Sequence, residues 1–269
     1  MIFVIGSRGR LGRAICNQYA ATETVLVDRA AYAHWAGGNG RSEIASFFSS
    51  RAQQGDIVFV CSGVLDPSAA GDELEAVNVR LPSNLIEVLS PLGVRVVTFG
   101  TVMEEILSTN PYVQSKRKLG LFVAEKYQQG APVTHIRIHT LYGLGEPSPF
   151  MLLGLMAEAM RKNRPFRMTS GLQLREYHHV EDDSAAIRCL MEKSVSGVVA
   201  LSHGEAVTLS ALALSVFNSV GLPHLLHLGE LEDPAQENFT QVFSKHEVLA
   251  GVSFRDTLTG VADYMKTLV

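Results

Sequence analysis

Short apolar runs alternate with longer amphipathic segments through the first half of this sequence. The apolar runs are rich in Val, Ile and Phe, are of strand length, and lie at residues 2–5, 24–27, 57–61, 94–99 and 133–138. Helix-like segments lie between them, at residues 10–20, 42–54, 72–89 and 112–128. Uniformly apolar strands that alternate with helices are typical of a parallel sheet covered on both faces. The sequence therefore predicts an α/β fold with a doubly wound parallel sheet.

The second half of the sequence no longer alternates regularly between strand-like and helix-like segments. Glycine and proline cluster at residues 143–149, and helix-like segments follow at residues 150–161, 182–193, 208–220 and 254–268. A sixth strand is predicted at residues 198–201, where the chain returns to the sheet. We predict a sheet domain at residues 1–145, with a returning segment at about 176–203, and a small C-terminal lobe built mainly from residues 146–269.

The composition argues against several classes of protein. Apolar residues make up 46% and charged residues 19% of the 269 residues, as is ordinary for a globular protein. The net charge of -4 argues against a nucleic-acid partner, which needs concentrated positive charge. No apolar run approaches the roughly 18 residues of a membrane span, and the run at residues 2–5 is too short for a signal peptide. Three cysteines without a CxxC pair fit a reduced protein, and we expect a cytoplasmic location.

A glycine-rich turn follows the first predicted strand and opens the first predicted helix. Its sequence is Gly6-Ser7-Arg8-Gly9-Arg10-Leu11-Gly12. Gly6 permits the tight turn, Gly9 lets a pyrophosphate approach the backbone, and Gly12 lets the helix pack close to the strand. The free N–H groups of the helix start suit phosphate oxygens. This position favours a Rossmann-type dinucleotide site over a packing turn without a ligand.

The residues after the second strand bear on the choice of dinucleotide. Asp28 ends that strand, and its carboxylate can hydrogen-bond the ribose hydroxyls of NAD while repelling the 2′-phosphate of NADP. Arg8 and Arg29 act in the opposite direction, since either could reach a 2′-phosphate. We favour NAD as the cofactor, and NADP stays an alternative.

A tyrosine and a lysine are spaced for proton transfer. Tyr112 and Lys116 are four residues apart at the start of a predicted helix, so they share one face. A nearby ammonium stabilises a phenolate, so we expect Lys116 to lower the pKa of Tyr112. Thr101 ends the preceding strand, which places its hydroxyl at the carboxyl edge of the sheet, where open α/β folds bind ligands. Together the three residues predict acid–base chemistry beside a nicotinamide.

Further residues extend this pattern into a resemblance to a known family. From residue 1 to about 190 the chain resembles the extended short-chain dehydrogenases/reductases, the NAD-dependent epimerase/dehydratase group that modifies nucleotide sugars. Besides the glycine turn, Thr101, Tyr112 and Lys116, the resemblance is carried by Cys61-Ser62-Gly63, Asp66-Pro67, Asn78-Val79, Asn110-Pro111, Arg137, Tyr142-Gly143 and the stretch Arg175-Glu176-Tyr177-His178-His179-Val180-Glu181-Asp182.

The resemblance implies a set of binding and catalytic residues. The implied cofactor contacts are Gly6, Ser7, Arg8, Gly9, Arg10, Leu11, Gly12, Asp28, Arg29, Cys61, Ser62, Gly63, Asn78, Tyr112 and Lys116. Thr101 would hydrogen-bond the reacting hydroxyl or carbonyl, Tyr112 would transfer the proton, and Lys116 would support it. Arg175 would bind the diphosphate of a nucleotide sugar, for which a guanidinium fork is suited. Thr140, which stands where the family often has Asn, is a further substrate contact.

Positions at which this sequence differs from the usual family residues indicate which of the family's reactions to expect. Dehydratases of the family carry an Asp-Glu pair directly after the threonine, whereas Val102 and Met103 follow Thr101 here. We therefore expect an oxidoreductase that reduces a 4-keto nucleotide sugar. The alternatives are an NAD-dependent 4-epimerase and, in another class, a dinucleotide-sensing protein without catalysis. Helices 72–89 and 112–128 correspond to those that relatives pair into a dimer, so we also expect a homodimer.

One cluster invites a metal hypothesis. His178 and His179 are followed by Glu181, Asp182 and Asp183, but the spacing is not HExxH and no third ligand is evident. Asp182 suits the N-cap of a helix. We therefore predict no metal from this stretch of sequence.

Overall fold

The computed structural model describes residues 1–66, 68–106 and 109–269. The chain divides into two compact units. The first unit comprises Met1–Ile138 and Ile187–Leu201, and the second comprises His139–Ala186 and Ser202–Val269. Among the described residues, no helix is both long enough and apolar enough to cross a membrane.

Short strands and helices alternate along the described chain. The strands are β1 (Ile2–Ile5), β2 (Thr24–Val27), β3 (Ile57–Val60), β4 (Arg95–Thr101), β5 (Val133–Ile138), β6 (Thr140–Tyr142), β7 (Phe166–Arg167), β8 (Leu174–Arg175), β9 (Tyr177–His179), β10 (Gly197–Ala200), β11 (Val207–Thr208) and β12 (Leu226–His227). The α-helices are α1 (Arg10–Cys16), α2 (Arg29–Tyr32), α3 (Gly40–Phe48), α4 (Gly71–Glu75), α5 (Leu81–Leu89), α6 (Pro111–Gln128), α7 (Leu152–Arg161), α8 (Val180–Glu192), α9 (Leu209–Ser219) and α10 (Thr257–Lys266). A π-helical turn, Ala76–Arg80, joins α4 to α5.

The first unit is built on a six-stranded sheet with the order β2-β1-β3-β4-β5-β10. Every pairing in it is parallel. The strand order reverses between β1 and β3, which is the switch point of a doubly wound sheet. This arrangement confirms the α/β fold that the alternating apolar runs predict.

The core of the first unit explains why its strands are so apolar. Phe3 and Ile5 on β1 are completely buried together with their neighbour Val4, so both faces of the strand are covered. Trp35 is 2% exposed and packs edge-on against Phe47. Burial of such large side chains supplies most of the stabilisation of a sheet covered on both faces.

The second unit has its own hydrophobic core and three two-stranded sheets. These pair β6 with β9 and β7 with β12 in parallel, and β8 with β11 in antiparallel. Met156, Val216 and Met265 from α7, α9 and α10 are fully buried in the core. The unit therefore owes its order to helix packing more than to an extended sheet.

The helix starts differ from the sequence prediction in one consequential place. Helix α8 begins at Val180, so Asp182 lies in its first turn and is not the predicted N-cap. Instead, the backbone N–H of Glu181 donates to Nδ1 of His179 at 3.3 Å. A histidine nitrogen can satisfy a free N–H of a first turn as a carboxylate does, and the three acidic residues of that turn still suit the helix dipole.

Candidate active site

The turn between β1 and α1 is closely packed. Gly6 has a φ of +79°, and a Cβ atom there would lie 2.5 Å from the backbone nitrogen of Ser62. A Cβ atom on Gly12 would lie 2.3 Å from the carbonyl oxygen of Gly6. Only glycine fits at these two positions, because a side chain would collide with rigid backbone. The turn is thus held against the segment that follows β3.

The same turn leaves one face open. A Cβ atom on Gly9 would meet only the carbonyl oxygen of Gly6, at 3.4 Å, and Gly9 is exposed. Nearby in the segment after β3, Oγ of Ser62 is buried and has no hydrogen-bond partner among the described residues. A buried hydroxyl without a partner is uncommon in folded proteins. This edge of the sheet can therefore receive a ligand that approaches the backbone closely and accepts or donates one hydrogen bond.

The residues that bear on cofactor choice lie together on the surface. Nη2 of Arg8 is 3.6 Å from Oδ1 of Asp28, and both side chains are exposed. Arg29 begins α2 and is also exposed. An exposed pair of this kind is weak and is easily rearranged. The carboxylate that favours NAD and a guanidinium that favours NADP thus occupy one neighbourhood.

Asn78 connects the segment after β3 to helix α6. Its side chain accepts from the backbone N–H of Val64 at 2.9 Å and donates to the carbonyl oxygen of Val64 at 2.9 Å. The amide also donates to Oγ of Ser115 at 2.9 Å, and that hydroxyl donates to the carbonyl oxygen of Tyr112 at 2.7 Å. Asn78 lies in the π-helical turn, a feature often found at functional sites. The predicted contact Asn78 is therefore joined to the predicted helix of Tyr112, through a serine that the sequence analysis missed.

Lys116 is buried at the same place. Its Nζ donates to the carbonyl oxygen of Phe99, in β4, at 2.9 Å. A Cβ atom on Gly63 would be 3.5 Å from this Nζ. Burial lowers the pKa of Lys116 to about 8, and the negative charge of Glu104 offsets part of that effect. The structure thus brings Gly63, Asn78 and Lys116 together, as the resemblance implies.

The pKa of Tyr112 differs from the sequence expectation. Burial raises the pKa of the phenol above its ordinary value, and the negative charge of Glu104 raises it further. Lys116 does not lower it: its Nζ is bonded to Phe99 and lies 6.0 Å from the centre of the Tyr112 ring. The expectation that the lysine lowers this pKa was wrong, and Tyr112 keeps its proton at neutral pH.

A buried carboxylate network supports the end of β4. Glu104 is completely buried, and its Oε1 accepts from the backbone N–H of Thr101 at 2.9 Å and faces Nε2 of His135 at 3.1 Å. Its Oε2 accepts from Nε of Arg137 at 2.9 Å. Burial alone would raise the pKa of Glu104, but the His135 hydrogen bond and charge, with Thr101 and Arg137, hold it below its ordinary value. The network keeps a carboxylate anion directly behind Thr101.

Two glycines make room for this carboxylate. A Cβ atom on Gly100 would lie 1.9 Å from Oε1 of Glu104, and one on Gly120 would lie 2.7 Å from Oε2. Glu104 is the third residue after Thr101, so it does not occupy the position of a dehydratase pair. A useful signal was present, since His135 stands in a strand of the central sheet and a buried histidine needs a partner.

Thr101 closes β4 with a capping arrangement. Its Oγ1 accepts from the backbone N–H of Met103 at 3.3 Å. In the other direction, the side chain of Glu104 accepts from the backbone N–H of Thr101. This reciprocal pair is a capping box, and it fixes the backbone of Thr101. Pro67, which belongs to the resemblance through Asp66-Pro67, lies outside the described residues.

The predicted substrate contacts lie in the second unit. Thr140 is the first residue of β6 and is partly buried. Arg175, in β8, donates from Nη1 to the carbonyl oxygen of Leu174 at 2.8 Å and forms an ion pair with Glu237. The Arg175 side chain is only 14% exposed. Its guanidinium is therefore held in a fixed orientation by its own unit.

Comparison with known proteins places the chain in a family. The family described as the NAD dependent epimerase/dehydratase family matches residues 2–202. The chain belongs to this family. No curated protein matches the chain in a sequence search.

Solved structures share the fold at low sequence identity. A double mutant of the dTDP-glucose 4,6-dehydratase DesIV from Streptomyces venezuelae, with NAD bound, has a TM-score of 0.77 at 16% identity and covers 99% of this chain and 96% of its own. A mutant of the UDP-glucuronic acid 4-epimerase from Bacillus cereus, in complex with NAD, has a TM-score of 0.76 at 16% identity, with 100% and 99% covered. A dTDP-4-dehydrorhamnose reductase from Clostridium acetobutylicum has a TM-score of 0.73 at 14% identity, with 99% of each chain covered.

Proposed function

We propose that this protein is an NAD(P)H-dependent reductase of a 4-keto nucleotide sugar. The observation that carries the proposal is Tyr112, a half-buried phenol that keeps its proton and stands one helical turn from Lys116. A reductase needs a proton donor at the carbonyl oxygen, whereas an enzyme that begins by oxidising a hydroxyl needs a proton acceptor. Burial and the Glu104 carboxylate both favour the donor form.

The residues at the carboxyl edge of the sheet fit a dinucleotide. The open face of Gly9 leaves space for a pyrophosphate, and the buried hydroxyl of Ser62 is without a partner in the described chain. Lys116 would donate to a ribose hydroxyl, and Asp28 and Arg8 would meet the adenosine ribose. The full set that would hold the cofactor is Gly6, Ser7, Arg8, Gly9, Arg10, Leu11, Gly12, Asp28, Arg29, Cys61, Ser62, Gly63, Asn78, Tyr112 and Lys116.

In the proposed reduction the cofactor supplies the hydride and the side chains supply the proton. When bound, the reduced nicotinamide supplies the hydride that the carbonyl carbon receives. Thr101 donates a hydrogen bond to the carbonyl oxygen and orients it, and Tyr112 transfers its phenol proton to that oxygen. Lys116, as an ammonium one helical turn away, would hydrogen-bond the ribose of the cofactor beside the reacting centre. Solvent then returns a proton to Tyr112 before the next turnover.

The carboxylates near Thr101 are occupied, which argues against dehydration. Glu104 is bound to Thr101, His135 and Arg137 and is completely buried. Glu105 is exposed and accepts from Nη1 of Arg137 at 2.6 Å. A dehydratase needs a carboxyl group free to donate a proton to a leaving hydroxyl, and these two are held by a common arginine.

A cofactor-oxidation assay tests the proposal. Purified protein is mixed with NADH or NADPH and a panel of 4-keto-6-deoxy nucleotide sugars, and the absorbance of the reduced cofactor is followed. We expect oxidation of the cofactor in stoichiometric proportion to product with at least one member of the panel. An unchanged absorbance with every member would contradict the proposal.

A 4-epimerase is the second candidate, and Asp28 is the observation that favours it. A carboxylate at this position suits NAD, and an epimerase recycles tightly held NAD without releasing it. Purified protein would then carry NAD and interconvert two nucleotide sugars without added cofactor. Protein that is isolated without nucleotide and consumes NAD(P)H with product would identify the reductase.

We propose that Arg175 binds the diphosphate of the substrate and that Thr140 contacts the sugar. Arg175 would have to exchange its Glu237 partner for phosphate oxygens, which a bidentate guanidinium accommodates. The Glu237→Gln variant should therefore bind a nucleoside diphosphate more tightly, because the competing carboxylate is gone. Weaker binding by this variant in calorimetry would show that Glu237 supports Arg175 and does not compete with the diphosphate.

We also propose a cytoplasmic homodimer that is formed through residues 72–89, which run from α4 to α5, and through α6. Within α6, Leu119 and Val123 belong to the core, but Leu121 is 62% exposed and offers apolar surface. Light scattering should give twice the monomer mass of 29.2 kDa, and the Leu121→Glu variant should shift the mass toward the monomer. A monomeric wild-type mass at micromolar concentration would contradict the dimer.

A further inference from the structure

Three side chains of the second unit bring ligand-type atoms together in its interior. His139, Glu176 and His178 each place one such atom within 4.8 Å of the other two. Oε2 of Glu176 is 2.9 Å from Nε2 of His178 and 3.6 Å from Nε2 of His139. The three residues are 8%, 0% and 1% exposed, so the cluster is closed to bulk water.

One nitrogen of this cluster lacks a partner. Nε2 of His139 is buried and makes no hydrogen bond within the described chain. Its nearest acidic neighbour is Glu176, and 3.6 Å is too long for a hydrogen bond. Leaving a buried polar atom unpaired costs about 1–3 kcal/mol. The unpaired nitrogen lies on the side of the carboxylate, so a cation bound between the two would give this nitrogen a partner.

The ligand atoms are oriented by a surrounding set of hydrogen bonds. Nδ1 of His178 is 2.6 Å from Oδ1 of Asp183, which directs Nε2 toward Glu176. Oε1 of Glu176 accepts from the hydroxyl of Ser202 at 2.6 Å, and Oε2 accepts from the backbone N–H of His203 at 2.9 Å. A carboxylate that holds the far nitrogen of a histidine is the usual support of a metal-binding imidazole.

Aromatic rings enclose the cluster. The ring of Phe243 lies 5.4 Å from that of His139, and the ring of Phe254 lies 5.3 Å from that of His178, centre to centre. An apolar shell lowers the local dielectric and strengthens the bonds between a cation and its ligands.

We propose that His139, Glu176 and His178 bind a divalent transition-metal ion of the Zn²⁺ class. Two imidazole nitrogens and one carboxylate oxygen are a common zinc ligand set. Ligands at about 2.1 Å from a tetrahedral zinc ion stand roughly 3.4 Å apart, and the two measured separations from Glu176, 2.9 and 3.6 Å, lie on either side of that value.

Charge and proton balance also suit a dication. Binding displaces the proton that Nε2 of His178 shares with Glu176, and that proton leaves to solvent. The carboxylates of Glu176 and Asp183 then balance the two positive charges. The ion would connect the residue before β6 to the β8–β9 segment within the second unit.

This set differs from the one that the sequence suggested. His178 is common to both, but His179 instead packs against the ring of Tyr142, with ring centres 5.2 Å apart. His139 and Glu176 are 37 residues apart in the sequence. They lie close because β6 pairs with β9 in parallel.

Metal titration of the full chain tests the proposal. Untagged protein is treated with a chelator, dialysed, and titrated with Zn²⁺ in a calorimeter, and with Co²⁺ to record the visible absorption of the bound ion. We expect one equivalent to bind and the melting temperature to rise with the metal concentration. The His139→Gln variant should bind at least about tenfold more weakly, while His224→Gln, at an exposed histidine, should bind as the wild type does.

Two results would overturn the site. One is the absence of binding to folded wild-type protein, and the other is equal binding by His139→Gln and His224→Gln. If His139→Gln does not fold, as judged by circular dichroism, crystals of the wild type soaked in Zn²⁺ decide the matter. An anomalous-scattering peak between the three side chains supports the site, and a peak elsewhere or none contradicts it. Neither outcome depends on the proposed reductase activity.

Discussion

At the scale of single residues, the carboxylate of Glu104 controls the environment of the proposed proton donor. It receives hydrogen bonds from the Thr101 backbone and from Arg137, and faces His135. Its charge contributes to the raised pKa of Tyr112 and opposes the fall in the pKa of Lys116. For both groups burial is the larger cause, and the buried charge of Glu104 adds to it for Tyr112 and offsets part of it for Lys116.

The first prediction concerns this carboxylate. Glu104→Gln keeps the shape of the side chain but removes its charge, which leaves the imidazole and guanidinium partners less well compensated. We expect the free energy of unfolding to fall by about 3 kcal/mol and the pKa of Tyr112 to fall. Urea denaturation measures the first effect. The matched control, Glu105→Gln, alters an exposed pair and should change stability by less than about 1 kcal/mol; equal losses in the two variants would show that the network has no special role.

The second prediction concerns Lys116 and pH. Its pKa is about 8 in the folded protein against an ordinary value of 10.5. Because the folded state binds this proton more weakly than the unfolded state, the burial of Lys116 costs stability below pH 8, and that cost disappears as the pH rises toward 10.5. Over this interval the wild type should gain about 3 kcal/mol relative to Lys116→Met. Chemical denaturation of both proteins from pH 7 to 10.5 measures the difference, and a constant difference would contradict the assigned burial of the ammonium.

At the scale of elements, the β1–α1 turn contains one glycine that is tightly packed and one that is not. A Cβ atom on Gly12 would lie 2.3 Å from the carbonyl oxygen of Gly6, whereas one on Gly9 would meet that oxygen only at 3.4 Å. One glycine therefore serves the packing of the helix against the strand, and the other serves the proposed approach of a pyrophosphate.

The third prediction compares alanine at these two positions. Gly12→Ala should lower the free energy of unfolding by about 1–3 kcal/mol, because the new methyl collides with backbone. Gly9→Ala should melt as the wild type does yet bind NAD more weakly, by on the order of tenfold. Gly38→Ala, where a Cβ meets nothing within 4 Å, is the control for both measurements. An unchanged NAD affinity in Gly9→Ala would contradict the proposal that the pyrophosphate binds close to Gly9.

Elements also show how far the sequence predicts the fold. The strands at residues 2–5, 24–27 and 133–138 have the predicted bounds, since burial on both faces leaves a clear apolar run. Helix α1 instead ends at Cys16, four residues before the predicted end, because helix ends depend on tertiary contacts that a periodic pattern does not record. The burial of Trp35 likewise depends on tertiary contacts, because this ring packs against Phe47 and Phe48 from another segment of the chain.

The candidate site was predictable only in part, for a reason that lies in strand register. The YxxxK spacing lies within one helix, so the pairing of Tyr112 with Lys116 can be predicted from the sequence alone. The Glu104 network depends on the pairing of Thr98 with His135 and of Gly100 with Arg137 between β4 and β5. A one-residue shift in register would turn both side chains to the other face, and no local pattern fixes that register.

At the scale of the whole molecule, the chain belongs to a family whose members catalyse different reactions. The family match covers residues 2–202, and the solved structures compared above share the fold at 14% to 16% identity. Fold alone does not select a reaction, because a dehydratase, an epimerase and a reductase all share it here. The selection rests on the protonated phenol of Tyr112 and on the engaged carboxylates behind Thr101.

The fourth prediction tests that selection through the ranking of three variants. Tyr112→Phe removes the proton donor, Lys116→Met removes the ammonium and weakens nucleotide binding, and Thr101→Val removes one hydrogen bond. We expect Thr101→Val to retain more turnover than the other two, and only Lys116→Met to lose affinity for the cofactor. Fluorescence of bound NADH reports affinity separately from turnover.

The most direct measurement is the turnover of Tyr112→Phe with NAD(P)H and the best substrate of the 4-keto nucleotide-sugar panel. The change deletes a single oxygen and keeps the ring, so folding and cofactor affinity should match the wild type. We expect kcat to fall by on the order of 10²–10⁴, the usual cost of losing a general acid. A Tyr112→Phe protein that oxidises the reduced cofactor at a near-normal rate would contradict the assignment of this chain as a tyrosine-dependent reductase.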